Sequence, residues 1–190
     1  MKIICIHRES RLDRKKQFEE GVGKHLDYEY LCVDKADNAV VSDYYECLGD
    51  LCCRASHAKC WLEAVRLQQN VLIFEDDVQC GEQVTPSGLR PLVDATKGDQ
   101  VTFFSDRSDT IAYVVTPESA AILLHLHLEI VSPVNMVQMS VDRRIKWTAS
   151  QGYIQSIFVS GYNFWQVADR ESSDNEWGNP ISLGKKIIYP

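Results

Sequence analysis

The chain has 190 residues, 45% of them hydrophobic, and a net charge of −7 at pH 7. That is enough for one domain with a real core, and the wrong sign for passive binding to nucleic acid or anionic lipid. No apolar run approaches the roughly 18 residues needed to span a bilayer, and the apolar stretch at the N-terminus is too short for a signal peptide. The expectation is a single domain over 1–190, cytoplasmic and at most peripheral at the inner membrane face, with its seven cysteines as reduced thiols.

In chain order, residues 2–6 read as a short apolar strand. Ser10 is the expected N-cap of a helix running to about residue 24, with Asp13 reaching back and Leu12, Phe18 and Val22 turned inward. A strand over 28–33 follows. Strand, helix and strand together open a nucleotide-binding α/β layer. The basic loop between them carries His7, Arg8, Arg11 and Arg14, at the strand end where a diphosphate would sit. The plainer reading of that loop is a solvated basic helix start.

Residues 36–50 are polar and irregular. A helix over 51–69 is expected to turn Cys53, His57, Trp61, Ala64 and Val65 to one side. Cys53, His57 and Cys60 could be a zinc set, but the same spacing is that of a buried helix face, and no C-x-x-C pair backs the metal. Ser56 and His57 are adjacent and point about 100° apart, so they form no catalytic dyad. His57 is expected to pack beside Trp61 with one ring nitrogen bonded, a donor-site role being the alternative.

Residues 71–78 read Val-Leu-Ile-Phe-Glu-Asp-Asp-Val, a buried strand running into three carboxylates. Ligands of open α/β sheets gather outside the carboxyl ends of such strands. Glu75, Asp76 and Asp77 repel one another unless a positive group sits among them. A hard divalent ion with oxygen ligands would satisfy them, and so, more simply, would solvent. Residues 80–98 contain two prolines and three glycines and are expected to be a loop with at most one short helix. Strands over 101–104 and 111–115 follow, then a buried helix over 119–128 with Thr116 at its N-cap and Pro117 at its first position. Val141 and Asp142 sit in the next segment. A late strand is expected over 153–159, and a polar stretch over 169–179 is ordered at most by ligand.

Several of these segments occur in a familiar order. Gly49, Cys52, Ser56, His57 and Trp61 precede Phe74-Glu75-Asp76-Asp77-Val78. Ile111-Ala-Tyr-Val-Val-Thr116 follows, then Ala120 and Ala121, then Val141 and Asp142. This order resembles glycosyltransferase family 25, which includes lipooligosaccharide and collagen galactosyltransferases. The resemblance implies an α/β chain of GT-A type, a Rossmann-like mixed sheet flanked by helices. It also implies a UDP-sugar donor, a glycan or other hydroxyl acceptor, and Mn²⁺ (or Mg²⁺).

In that picture Glu75, Asp76 and Asp77 hold the metal, with Asp77 in direct contact and Glu75 near the ribose or a metal-bound water. Asp142 is the general base or an acceptor ligand, so Asp77 and Asp142 carry the catalysis. His7, Arg8, Arg11, Arg14, Ser56, His57 and Glu75 bind the donor. The implied reaction is inverting transfer of a hexose, galactose or glucose. The chain departs from the family pattern at Cys5-Ile6, in the short span between Asp77 and Tyr113, and in the Arg-rich segment after Asp142. A transferase-like module that binds without turnover therefore stays open, as do a metal-dependent phosphohydrolase and a transferase acting on nucleic acid.

Overall fold

Alternating apolar residues build one sheet with two dry faces. The computed structural model describes residues 1–33, 48–104, 110–128, 140–159, 162 and 164–166. Its strands are β1 (Lys2–Arg8), β2 (Glu29–Val33), β3 (Val71–Glu75), β4 (Val78–Cys80), β5 (Gln100–Phe103), β6 (Ala112–Val115), β7 (Gln155–Phe158) and β8 (Phe164–Gln166). The main sheet has six strands in the order β2-β1-β3-β6-β5-β7, and β4 pairs with β8 in a separate ribbon. β1 runs parallel to β2 and β3, β6 runs antiparallel to β3 and β5, and β7 is parallel to β5.

The side-chain period of two sends neighbouring residues to opposite faces. Ile3, Cys5, Leu72, Phe74, Ala112 and Val114 join one core with Phe18, Leu89 and Val93. Ile4, Val71, Ile73, Tyr113 and Val115 join the other with Trp61, Ala64, Leu123 and Ile145. The first face is covered by α1 (Leu12–Glu20) and α3 (Pro86–Ala95). The second is covered by α2 (Leu48–Leu67), α4 (Pro117–Leu128) and α5 (Val141–Ser150). Burying each large apolar side chain contributes about 1.5–3 kcal/mol. No helix among the described residues is long and apolar enough to cross a membrane.

The parallel pairs require crossovers. From β1 the chain passes along the first face to β2, then along the second face to β3 on the far side of β1. The winding therefore reverses between β1 and β3, and a crevice opens outside their carboxyl ends. Ile6 is in register with Glu75 across this junction, and the Asp76 amide donates to the Ile6 carbonyl at 3.1 Å. His7, Arg8 and the acidic triplet therefore meet at the switch point.

Several expectations need correction. Arg11, not Ser10, is the N-cap of α1, and it makes no side-chain cap bond. Asp13 does not reach back over the cap: it accepts two bonds from the Arg11 guanidinium, at 2.9 and 2.6 Å. Leu12 is exposed, while Phe18 and Val22 are buried as expected. α1 stops at Glu20, and a 3₁₀ turn over Val22–His25 completes the connection. That turn packs so closely under Phe18 that a Cβ on Gly23 would come within 2.7 Å of the ring.

α2 begins at Leu48, three residues earlier than expected, and Cys53 is exposed rather than turned inward. The acidic strand breaks at the triplet: β3 ends at Glu75, and Asp76 and Asp77 form the turn into β4. The expected loop over 80–98 contains the ten-residue α3, capped by Thr85, whose hydroxyl accepts from the Gly88 amide at 3.3 Å, with Pro86 in the first turn. At α4 the expected Thr116 cap is present. Thr116 Oγ1 accepts from the Ser119 amide and Ser119 Oγ accepts from the Thr116 amide, each at 3.0 Å. The polar stretches over 36–47 and 169–179 lie outside the described residues.

Candidate active site

Three elements deliver the site: the end of β1, the end of β3, and α1, which lays Arg14 across both. His7 Nδ1 lies 2.8 Å from Asp76 Oδ2, and the Arg8 amide donates to the same oxygen at 3.3 Å. The Arg14 guanidinium stands 3.5 Å from Asp76 Oδ1 and 3.3 Å from Asp77 Oδ2. The sequence offers no neighbour to balance the triplet, yet the fold brings a buried arginine to two of its acids. Gln166, delivered by the pairing of β8 with β4, donates to Asp77 Oδ2 at 2.9 Å.

Glu75 faces a different set of partners. Thr110 Oγ1 donates to Glu75 Oε1 at 2.8 Å, and His57 Nε2 stands 3.3 Å from the same oxygen. His57 is wholly buried, its Nδ1 lies 2.7 Å from the Tyr113 hydroxyl, and Trp61 Nε1 donates to that hydroxyl at 3.0 Å. His57 is therefore packed with a bonded ring nitrogen, as expected, and its other nitrogen also faces the triplet. Ser56, beside it on α2, is buried too.

These partners divide the three carboxyls electrostatically. Burial pushes Glu75 upward, but the contact with His57 and the Thr110 hydroxyl hold it below the usual range. Burial raises Asp76 against the pull of His7 and Arg14. Asp77 is raised furthest, from 3.8 to about 7, by burial and then by the charge of Glu75. Asp77 Oδ1 is also the oxygen of the triplet that is buried without a hydrogen-bond partner among the described residues. A buried lone pair without a donor is costly, and a divalent cation satisfies it. The donor set thus fits a metal at Asp77, while Glu75 and Asp76 each hold protein partners already.

The remaining expected site residues are spread more widely. Arg8 ends β1 beside Asp76, whereas the Arg11 guanidinium is paired with the exposed Asp13. Asp142 lies in the first turn of α5, where its Oδ2 is 3.8 Å from Lys146 Nζ. None of its polar contacts among the described residues reaches the triplet. Thr110, Tyr113 and Gln166 were not legible as site residues. Tyr113 reads as a strand residue and Gln166 carries no motif, and only the pairing of β3 with β6 and of β4 with β8 places them.

The fold is of the GT-A type, a mixed sheet with helices on both sides. It is similar over 83% of this chain and 79% of the other to the crystal structure of a glycosyltransferase involved in the glycosylation of the major capsid of PBCV-1, at 11% identity and a TM-score of 0.50. A protein described as a glucose-1-phosphate thymidylyltransferase from Bacillus anthracis, in complex with sucrose, overlaps 86% of this chain and 69% of its own at 10% identity. Its TM-score of 0.45 is too low to support an argument. No curated protein sequence matches the chain.

Residues 47–90 match the model of Glycosyltransferase family 25 (LPS biosynthesis protein), a stretch that contains α2, β3 and the whole acidic triplet. The resemblance to that family read from the sequence is borne out over this stretch.

Proposed function

We propose that the chain transfers a hexose, galactose or glucose, from a UDP-sugar to a hydroxyl of a glycan or other acceptor, with inversion at the anomeric carbon. The observation that carries this reading is the buried, unpartnered Asp77 Oδ1 at the β1/β3 switch point, inside the stretch that matches the family. Asp77 would hold Mn²⁺ or Mg²⁺, with Glu75 and Asp76 beside it. The ion supplies Lewis-acid neutralisation of the diphosphate charge. Arg8, at the end of β1, would offer a guanidinium fork to phosphate. Arg14 keeps the two aspartates folded into the crevice, and His57 and Thr110 keep Glu75 ionised. Asp142, at the start of α5, is the proposed base for the acceptor hydroxyl.

A module that binds nucleotide sugar or glycan without turnover is the second reading. It is favoured by Arg14, whose guanidinium already offsets charge that a metal would otherwise balance. The test is calorimetric titration of UDP with and without Mn²⁺ or Mg²⁺, followed by a nucleotide-release screen over UDP-Gal, UDP-Glc, UDP-GlcNAc and UDP-GalNAc. Binding with release supports transfer. Metal-dependent binding without release under any acceptor supports the module, and absence of UDP binding in every condition removes transfer and the nucleotide-sugar form of the module.

A further inference from the structure

Behind the triplet, the structure brings together a second set of ligand atoms. Cys53 Sγ, a ring nitrogen of His57 and an oxygen of Glu75 lie within 4.8 Å of one another. Cys53 and His57 stand one turn apart on α2, so they share a helix face, and Glu75 arrives from the end of β3. The zinc set that the sequence suggests uses Cys60 instead, but Cys60 is wholly buried in the core of the second face.

The contact between His57 and Glu75 points to an ion. Nε2 is 3.3 Å from Glu75 Oε1, yet it is buried and makes no hydrogen bond among the described residues. Two ligand atoms on one edge of a tetrahedral zinc, each about 2.0–2.1 Å from the ion, are separated by about 3.3 Å. The observed spacing is that edge. The other ring nitrogen is already oriented, because the Tyr113 oxygen has two lone pairs. It can accept from Trp61 Nε1 and from His57 Nδ1–H together, which is the tautomer that a metal ion at Nε2 requires. Thr110 in turn donates to Glu75 Oε1. A histidine and a carboxylate each held by an outer hydrogen-bond partner is the usual support of a metal centre. Cys53 is the exposed member. It gives the ion a route of entry, and rotation of its side chain closes the remaining distance.

We propose that Cys53, His57 and Glu75 form a site for a thiophilic divalent cation such as zinc, with a fourth position open to water. It is distinct from the oxygen-ligand site proposed at Asp77 and does not depend on the donor reading. Thiolate selects zinc over manganese or magnesium, so the two sites would sort different ions. Filling the site ties α2 to the end of β3. Because Glu75 belongs to both clusters, an ion here also changes the charge presented to the donor crevice.

The test uses the full chain, reduced, metal-free and without nucleotide. Cobalt(II) is titrated as a spectroscopic stand-in for zinc. One equivalent should bind with a thiolate-to-cobalt charge-transfer band, and zinc should displace it and abolish the band. Cys53→Ala, at an exposed position that folding tolerates, should remove the band and weaken cobalt binding at least tenfold. Cys32→Ala, at an exposed thiol on β2, should change neither. His57→Gln should behave as Cys53→Ala if circular dichroism shows that it is folded. A wild-type chain without the band overturns the proposal. So does a band that survives Cys53→Ala or that disappears equally in Cys32→Ala.

Discussion

Asp77→Asn should stabilise the metal-free protein at high pH. The folded chain keeps a proton on Asp77 up to about pH 7, whereas the ordinary value is 3.8. A group whose pKa rises on folding contributes full stability below the unfolded value, and that stability is lost as pH climbs through the folded value. Retaining the proton from 3.8 up to about 7 corresponds to about 4 kcal/mol of penalty once the carboxylate is ionised. Relaxation and water entry around the buried charge reduce this to roughly 2–4 kcal/mol.

Asparagine has the shape of the protonated acid, and its carbonyl can still accept from Gln166. Urea denaturation in a chelator should therefore find the variant about 2–4 kcal/mol more stable than wild type at pH 8.5, and more stable by no more than about 1 kcal/mol at pH 4.5. Saturating Mn²⁺ with UDP should reverse the order at pH 8.5. Wild type gains about 4.1 kcal/mol at a thousandfold excess over Kd, and the variant gains little. A variant destabilised equally at both pH values would refute the reasoning, since Asp77 would then be a structural carboxylate held by Arg14.

Arg14→Gln leaves two buried aspartates without their cation and should cost about 3–5 kcal/mol at pH 8. Thermal melts should show a smaller loss at pH 5, where Asp77 is neutral. Arg8→Ala should weaken UDP binding by roughly 1.5–3 kcal/mol, as for a hydrogen bond to a charged group. Arg11→Ala removes a guanidinium already paired with Asp13 and should change it by less than about 0.5 kcal/mol, and calorimetry separates the two. Asp142→Asn should leave Mn²⁺–UDP affinity within about twofold and lower transfer by about 10²–10⁴-fold. Loss of UDP binding in that variant would place Asp142 in the metal shell.

Local chemistry was enough to identify the layer architecture and the acidic strand. Continuous apolar runs mark β1, β3 and β6, because a sheet covered by helices must present a dry surface to each side. Thr116-Pro117 marks the start of α4, because its cap bonds are made within three residues. The motif around Ser56, His57 and Trp61 and the acidic triplet are contiguous strings, so the family resemblance is legible without a fold. What could not be read is every partner of the triplet. Arg14 looked like a phosphate ligand because it sits in a basic stretch. Only the docking of α1 against the ends of β1 and β3 turns it onto Asp76 and Asp77. Cys53 looked buried from its helical spacing, but Arg54, Ser56 and His57 take the buried positions of that turn and leave Cys53 exposed. Tyr113, Thr110 and Gln166 reach the site through strand pairings 35 to 89 residues removed from the acids or from His57. A carboxylate's charge state and ligands depend on what stands within a few ångströms in space, and at this switch point those neighbours come from four separate stretches of chain.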